Sequence, residues 1–301
     1  MLLIKQLFFG LLLPAMVGGG IFVIARSLSP KAYATARYEK EQDGLAGWLI
    51  AAALGVGYIV GYLGLERLPA FPPKLGTHWL CYLAIIGLIV GRFWHRAVWG
   101  PIAQIVISII IPRLLLTATF KHTWGPIEGI IWWVCLAVVI FIIWHLVEQS
   151  FSALPSGASA PFVYFGLSGG TALILALSGS LRLAQHGGIL AALFAASWIL
   201  TLSLQRDRKR LVFPRGASPV VTLLLIGIWM NGYFFAEVPA ISTILLVISP
   251  LLAQVGRIEE VRELGGWRSK LAQIAAVALP VVIAIGIAVI RSGFFGDNSG
   301  Y

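Results

Sequence analysis

Few residues in this chain can do polar chemistry, and the candidates stand inside apolar runs. Gln104 and Ser108 are four apart and share a helix face, with Arg113 a turn further on; Asn231, Ser242 and Ser249 lie in later runs. An amide, hydroxyls and a guanidinium in hydrocarbon are the groups that could line a path for a small polar solute. Arg113 suits an anion, or snorkels to the headgroups. Each of the others competes with a plainer role as a hydrogen bond between helices.

Five histidines are the other candidates. His95 and His145 fall at one expected membrane interface, and His78, His122 and His186 fall on three connections at the other. Three imidazoles brought together could bind Zn²⁺ or Cu²⁺. Ordinary interfacial histidines beside Trp79 and Trp124 are the simpler reading. Cys81 and Cys135 lack metal or redox spacing and read as small buried hydrophobes. Glu128, Glu148 and Glu237 sit at the starts or ends of apolar runs, which argues against a pump built on a deep carboxylate. The chain has no phosphate-cradling glycine loop, nucleophile elbow, His-Glu-x-x-His or matched histidine pair for haem. No cofactor is expected.

The elements that must position these residues follow from composition. Of 301 residues, 59% are hydrophobic and 11% charged, with a mean hydropathy of +0.91. Soluble domains carry about 25% charge, so a water-soluble fold is excluded. Ten apolar runs read as membrane helices: 3–25, 45–65, 77–91, 97–120, 127–147, 161–181, 188–204, 219–236, 238–255 and 271–290. The expected fold is an all-α polytopic bundle of about ten transmembrane helices, one membrane domain over 1–301. The runs are continuous rather than alternating, which argues against a β-barrel. The run 97–120 is the weakest with 77–91, because Pro112 and Arg113 interrupt it.

Charge sets the expected orientation. Of the 22 Lys and Arg, 15 fall on the odd connections and seven on the even connections and tails. The positive-inside rule then puts the odd connections in the cytoplasm and both termini outside, in a plasma (inner) membrane. A signal peptide ending near Ala34-Thr35-Ala36 is disfavoured by Arg26 and Lys31 ahead of that site. The basic run Arg206–Arg210 reads as an anchor on anionic lipid at the cytoplasmic face, and no nucleic-acid partner is expected. Residues 256–270 read as a short helix on the membrane surface.

Gly57/Gly61, Gly87/Gly91, Gly125/Gly129 and Gly166/Gly170 are G-x-x-x-G pairs that permit close helix approach, within the chain or to a second copy or partner subunit. Helix breaks are expected at Pro14 and Gly19, at Gly169, and at Pro112 and Pro250. Residues 101–112 and 239–250 each carry two prolines eleven apart around an apolar run, which suggests a 5+5 inverted repeat with halves 1–150 and 151–301. Ten spans, outward termini and proline-broken fourth and ninth spans resemble the bile-acid-symporter and auxin-efflux-carrier type of secondary transporter. In that group the two broken helices cross at mid-membrane beside the substrate, and the resemblance implies Pro112 and Pro250 as crossing points. It covers topology and two prolines, not sequence motifs.

The leading expectation is a secondary transporter or permease for a small solute, with Gln104, Ser108, Arg113, Asn231, Ser242 and Ser249 lining its site. The alternative is a structural or assembly subunit of a membrane complex. A lipid-modifying membrane enzyme is third, since it needs His, Asp or Glu convergent at one interface.

Overall fold

A computed structural model describes residues 6–28, 45–94, 98–154, 158–204 and 215–292. The described residues form helices and short connections only. In chain order these are α1 (Leu13–Leu28), preceded by a π-helical turn over Phe8–Leu12, α2 (Leu45–Glu66), α3 (Gly76–Phe93), α4 (Trp99–Leu115) and α5 (Thr117–His122). There follow α6 (Pro126–Ala153), α7 (Ser159–Leu177), α8 (Leu181–Leu204), α9 (Ser218–Phe235) and α10 (Ala240–Ile248). The last continues as a 3₁₀ helix over Ser249–Arg257, and α11 (Glu259–Glu263) and α12 (Gly266–Arg291) close the chain. Among the described residues nine of these stretches are long and apolar enough to cross a membrane, so the protein is a multi-pass α-helical membrane protein.

The fourth expected span, 97–120, is the exception. Helix α4 has 17 residues, a length of about 26 Å, against a hydrocarbon core of about 30 Å. Pro112 cannot donate a bond, and Leu116 leaves helical geometry at φ −104° and ψ 24°, so the run splits into α4 and α5. Near Pro250 the opposite happens. Nine α-helical residues are followed by nine in the tighter 3₁₀ winding. The larger 3₁₀ rise gives this stretch a reach of about 31 Å.

Helix α9 is the axis of the bundle: 83% of its span is buried, against 22% of Pro126–Phe151. Gly87 lets α3 lie against it, since a Cβ there would stand 2.7 Å from Val220 Cα; Gly91 lies against the 3₁₀ turn Arg215–Ala217 that leads into α9, where a Cβ would stand 2.6 Å from Gly216 O. A second close seam joins α1, α2 and α8. A Cβ on Gly18 would meet Ala53 O at 2.9 Å, and one on Gly57 would meet Leu193 Cδ2 at 2.4 Å. These two G-x-x-x-G-type seams are therefore internal. Around Gly125 and Gly166 there is open space.

Several expected boundaries move. The run Ser178-Gly179-Ser180 is the turn between α7 and α8, with Gly179 at φ +82°, where glycine carries no steric penalty. Helix α8 therefore starts at Leu181, and His186 lies inside a span rather than on a connection. The break expected at Gly169 is absent, because α7 runs unbroken from Ser159 to Leu177. Gly19 likewise stands in continuous α-helix. Beside Pro14 the helix widens by one turn instead: the Leu13 N–H donates to Phe8 O, five residues back. The termini, Ala34–Ala36, Arg206–Arg210 and His95 lie outside the described residues.

Candidate functional site

The six residues read as a solute site do not converge. Gln104 Nε2 donates to Phe141 O on α6 at 3.2 Å, and Ser108 beside it is buried with no hydrogen-bond partner. Asn231 Nδ2 donates to Gly227 O at 2.7 Å and to Gly76 O at 3.4 Å. Ser242 and Ser249 donate to Ala284 O and Val277 O of α12 at 3.1 and 2.8 Å. Arg113 is exposed, its guanidinium carbon 4.9 Å from the centre of the Phe120 ring. Four of the six thus tie helices together through backbone carbonyls.

Two carbonyls within a turn of a proline also accept side-chain donors. A proline itself removes the N–H that would bond the carbonyl four residues back. Three residues before Pro112, Ile109 O accepts the Trp133 indole N–H at 2.7 Å. Three before Pro280, Val277 O accepts the Ser249 hydroxyl.

Pro112 and Pro250 also lie on segments with different surroundings. Helix α4 packs on α3 and α6, while the 3₁₀ segment packs on α6 and α12. The three candidate metal-binding histidines are dispersed as well. His78 Nδ1 accepts the Lys74 backbone N–H at 3.4 Å, His122 is exposed, and His186 is buried. Among the described residues no three His, Cys, Asp or Glu side chains come together.

A different cluster does converge, where the C-terminal end of α2 meets the first turns of α8. Tyr58, Tyr62 and Glu66 stand at four-residue intervals on one face of α2, and Arg182 and His186 at the same interval on α8. Arg182 Nε and Nη2 donate to the two Glu66 carboxylate oxygens, a fork-to-carboxylate pair. Glu66 Oε1 lies 3.5 Å from His186 Nε2. On its other side His186 Nδ1 is 3.1 Å from the Tyr58 hydroxyl, and the Tyr62 ring stacks on the imidazole at 5.3 Å. Exposure falls inward along the chain of groups: 46% for the Arg182 side chain, 10% for Glu66, 1% for His186. Tyr58 and Tyr62 are fully buried, and the Tyr62 hydroxyl has no partner.

The chemistry follows from the two ring nitrogens. A carboxylate beside Nε2 favours a proton there, which leaves Nδ1 to accept from Tyr58 O–H. If Nδ1 is protonated, the Tyr58 hydroxyl must rotate and accept instead. The cluster can therefore hold one proton more or less by turning one O–H bond, in line with a carboxylate near the surface. Composition gives no hint of it; the signal in the sequence is the spacing Tyr58–Tyr62–Glu66 matched to Arg182–His186.

A polar cavity of about 180 Å³ lies at the same end, lined by Glu237, Arg291, Ser178 and Ser292. No family model matches this chain, and no curated protein matches it in sequence.

Proposed function

We propose that this protein is a secondary transporter or permease for a small solute, with the Glu66–His186–Tyr58 chain as its proton-carrying part. The observation that supports this is an ionisable pair leading from the rim of the bundle to a fully buried imidazole. Ionisable groups inside membrane spans are costly and belong to pathways and proton relays more often than to structure. The charge split supports a plasma (inner) membrane with the Glu66 end outward. The inverted repeat is not part of this reading. Helix α7 rests on α12, whereas α1 and α6, the equivalent pair of the first half, are not principal neighbours.

The test is a thermal-shift screen of small solutes on purified protein, followed by uptake into proteoliposomes under a pH gradient. A folded-state binder raises the melting temperature. The reading predicts a solute whose gradient-driven uptake is lost in His186→Gln while that variant stays folded. Uptake unchanged in a folded His186→Gln protein removes the proton-carrying role.

The second reading, a structural or assembly subunit, is favoured by the four candidate polar residues whose side chains end on backbone carbonyls. It predicts co-purification with a membrane partner and no solute-dependent shift. The enzyme reading gains an acid beside a base, but Tyr58 and His186 are both sealed from an outside substrate.

A further inference from the structure

A lateral groove of about 100 Å³ separates α6 from α10, with α9 as its floor. Leu136, Val139, Ile140 and Ile143 form one wall, Thr243 and Val247 the other, and Trp229, Met230, Tyr233 and Phe234 lie beneath. The lining is almost wholly apolar, so it has nothing to offer a polar solute. It is too small for a further helix, which is about 10 Å across. The lining residues of α6 run over eight positions, a length of about 12 Å, within one leaflet's share of the hydrocarbon core.

One end of the groove has a built rim. Phe234 lies edge-on to Trp124 at 5.8 Å and to Trp132 at 6.2 Å, and those two indoles stack at 5.4 Å. Trp124 in turn meets Phe120 edge-on at 4.9 Å, and Arg113 sits over the Phe120 ring. Lys121 and His122 are exposed at the end of α5 beside this aromatic shelf, and Glu128, also exposed, starts α6. Indoles prefer the headgroup level. Two full cations against one carboxylate leave the rim net positive.

We propose that this groove binds one acyl chain of an anionic phospholipid, with the lipid phosphate held at the rim by Arg113 and Lys121. The early end of α4 at Leu115 leads into α5, which sets Phe120 under Arg113 and against Trp124. The inference is independent of the Glu66–His186 reading, which concerns α2 and α8.

The experiment uses purified full chain in vesicles that contain a phospholipid with a photoactivatable acyl chain, in an anionic (phosphatidylglycerol) and a zwitterionic (phosphatidylcholine) form. Peptide mapping should place crosslinks on residues 136–143, 226–234 and 243–247 in preference to other lipid-facing helix surfaces. The anionic form should label more strongly, on the order of fivefold for each basic residue that contacts it. Arg113→Gln with Lys121→Gln should abolish that preference while crosslinks stay in the groove. Val139→Trp, a change at the exposed lip, should fill the groove and remove the crosslinks with little change in melting temperature; Thr243→Trp does the same from the other wall. Labelling spread evenly around the bundle, or equal labelling by both lipids in the unaltered protein, overturns the proposal.

Discussion

On α9, α10 and the 3₁₀ segment, Asn231, Ser242 and Ser249 each end on a backbone carbonyl, whereas at the α2–α8 corner buried side chains meet one another. A carbonyl accepts a hydrogen bond and has no second protonation state, so such contacts can stabilise helix packing and little else. Glu66, His186 and Tyr58 form the corner. Each partner there can change charge or direction, and the network has alternative states at nearly equal hydrogen-bond number. Buried polarity thus holds helices together in one region and offers alternative protonation states in the other.

Both regions rest on glycine seams, and the largest expected effects are there. Gly87→Leu forces a side chain into the Val220 backbone, which cannot rotate away. Overpacking of this kind costs about 3 kcal/mol or more when backbone must shift. The expected outcome is little folded protein by size-exclusion in mild detergent. A monodisperse variant with the parent's melting temperature would show that α3 and α9 are not packed as described.

Next in size is removal of a partner from the α2–α8 corner. His186→Ala leaves the buried Tyr58 hydroxyl without its hydrogen-bond partner, a loss of about 1–3 kcal/mol. Tyr58→Phe and His186→Gln should be non-additive, with a coupling of about 1 kcal/mol in a double-mutant cycle. Ser249→Ala, in the first region, should cost only about 0.6–1 kcal/mol. It should add simply to Tyr58→Phe, since one lies on the 3₁₀ segment and the other on α2. Equal coupling in both cycles would erase the distinction between the two regions.

How much of this the sequence carried depends on which forces act over short range. Spans were legible because hydropathy over about 20 residues is a local property. The fourth span was readable as weak because Pro112 acts on its own turn. The site was not legible in the same way. Gln104 and Asn231 look alike as isolated polar residues in apolar runs, and only tertiary packing decides that each ends on a carbonyl. Glu66 stands at the last position of α2, where a carboxylate looks like an ordinary helix end. Its role depends on Arg182 and His186, more than a hundred residues away. In the sequence His186 falls between the apolar runs 161–181 and 188–204; the positive φ of Gly179 makes Ser178-Gly179-Ser180 the turn, and α8 starts about two turns earlier, at Leu181.

The smallest expected effect tests that same point about glycine. Gly169 reads in sequence as a hinge, and in the structure it stands in the middle of an unbroken α7 with nothing within 4 Å of a built Cβ. In a helix glycine is less favourable than alanine by about 0.5–1 kcal/mol, because it loses more backbone freedom on folding. With no steric cost to offset that gain, Gly169→Ala should raise stability by roughly that amount, visible as a small increase in melting temperature. Gly170 next to it is the control: its Cβ would stand 2.2 Å from Val281 Cγ1 on α12, so Gly170→Ala should lower stability. If α7 instead bends at Gly169 during function, Gly169→Ala would leave the melting temperature raised and yet impair solute uptake. A lowered melting temperature for Gly169→Ala would mean that the position is more crowded, or the helix less regular, than described.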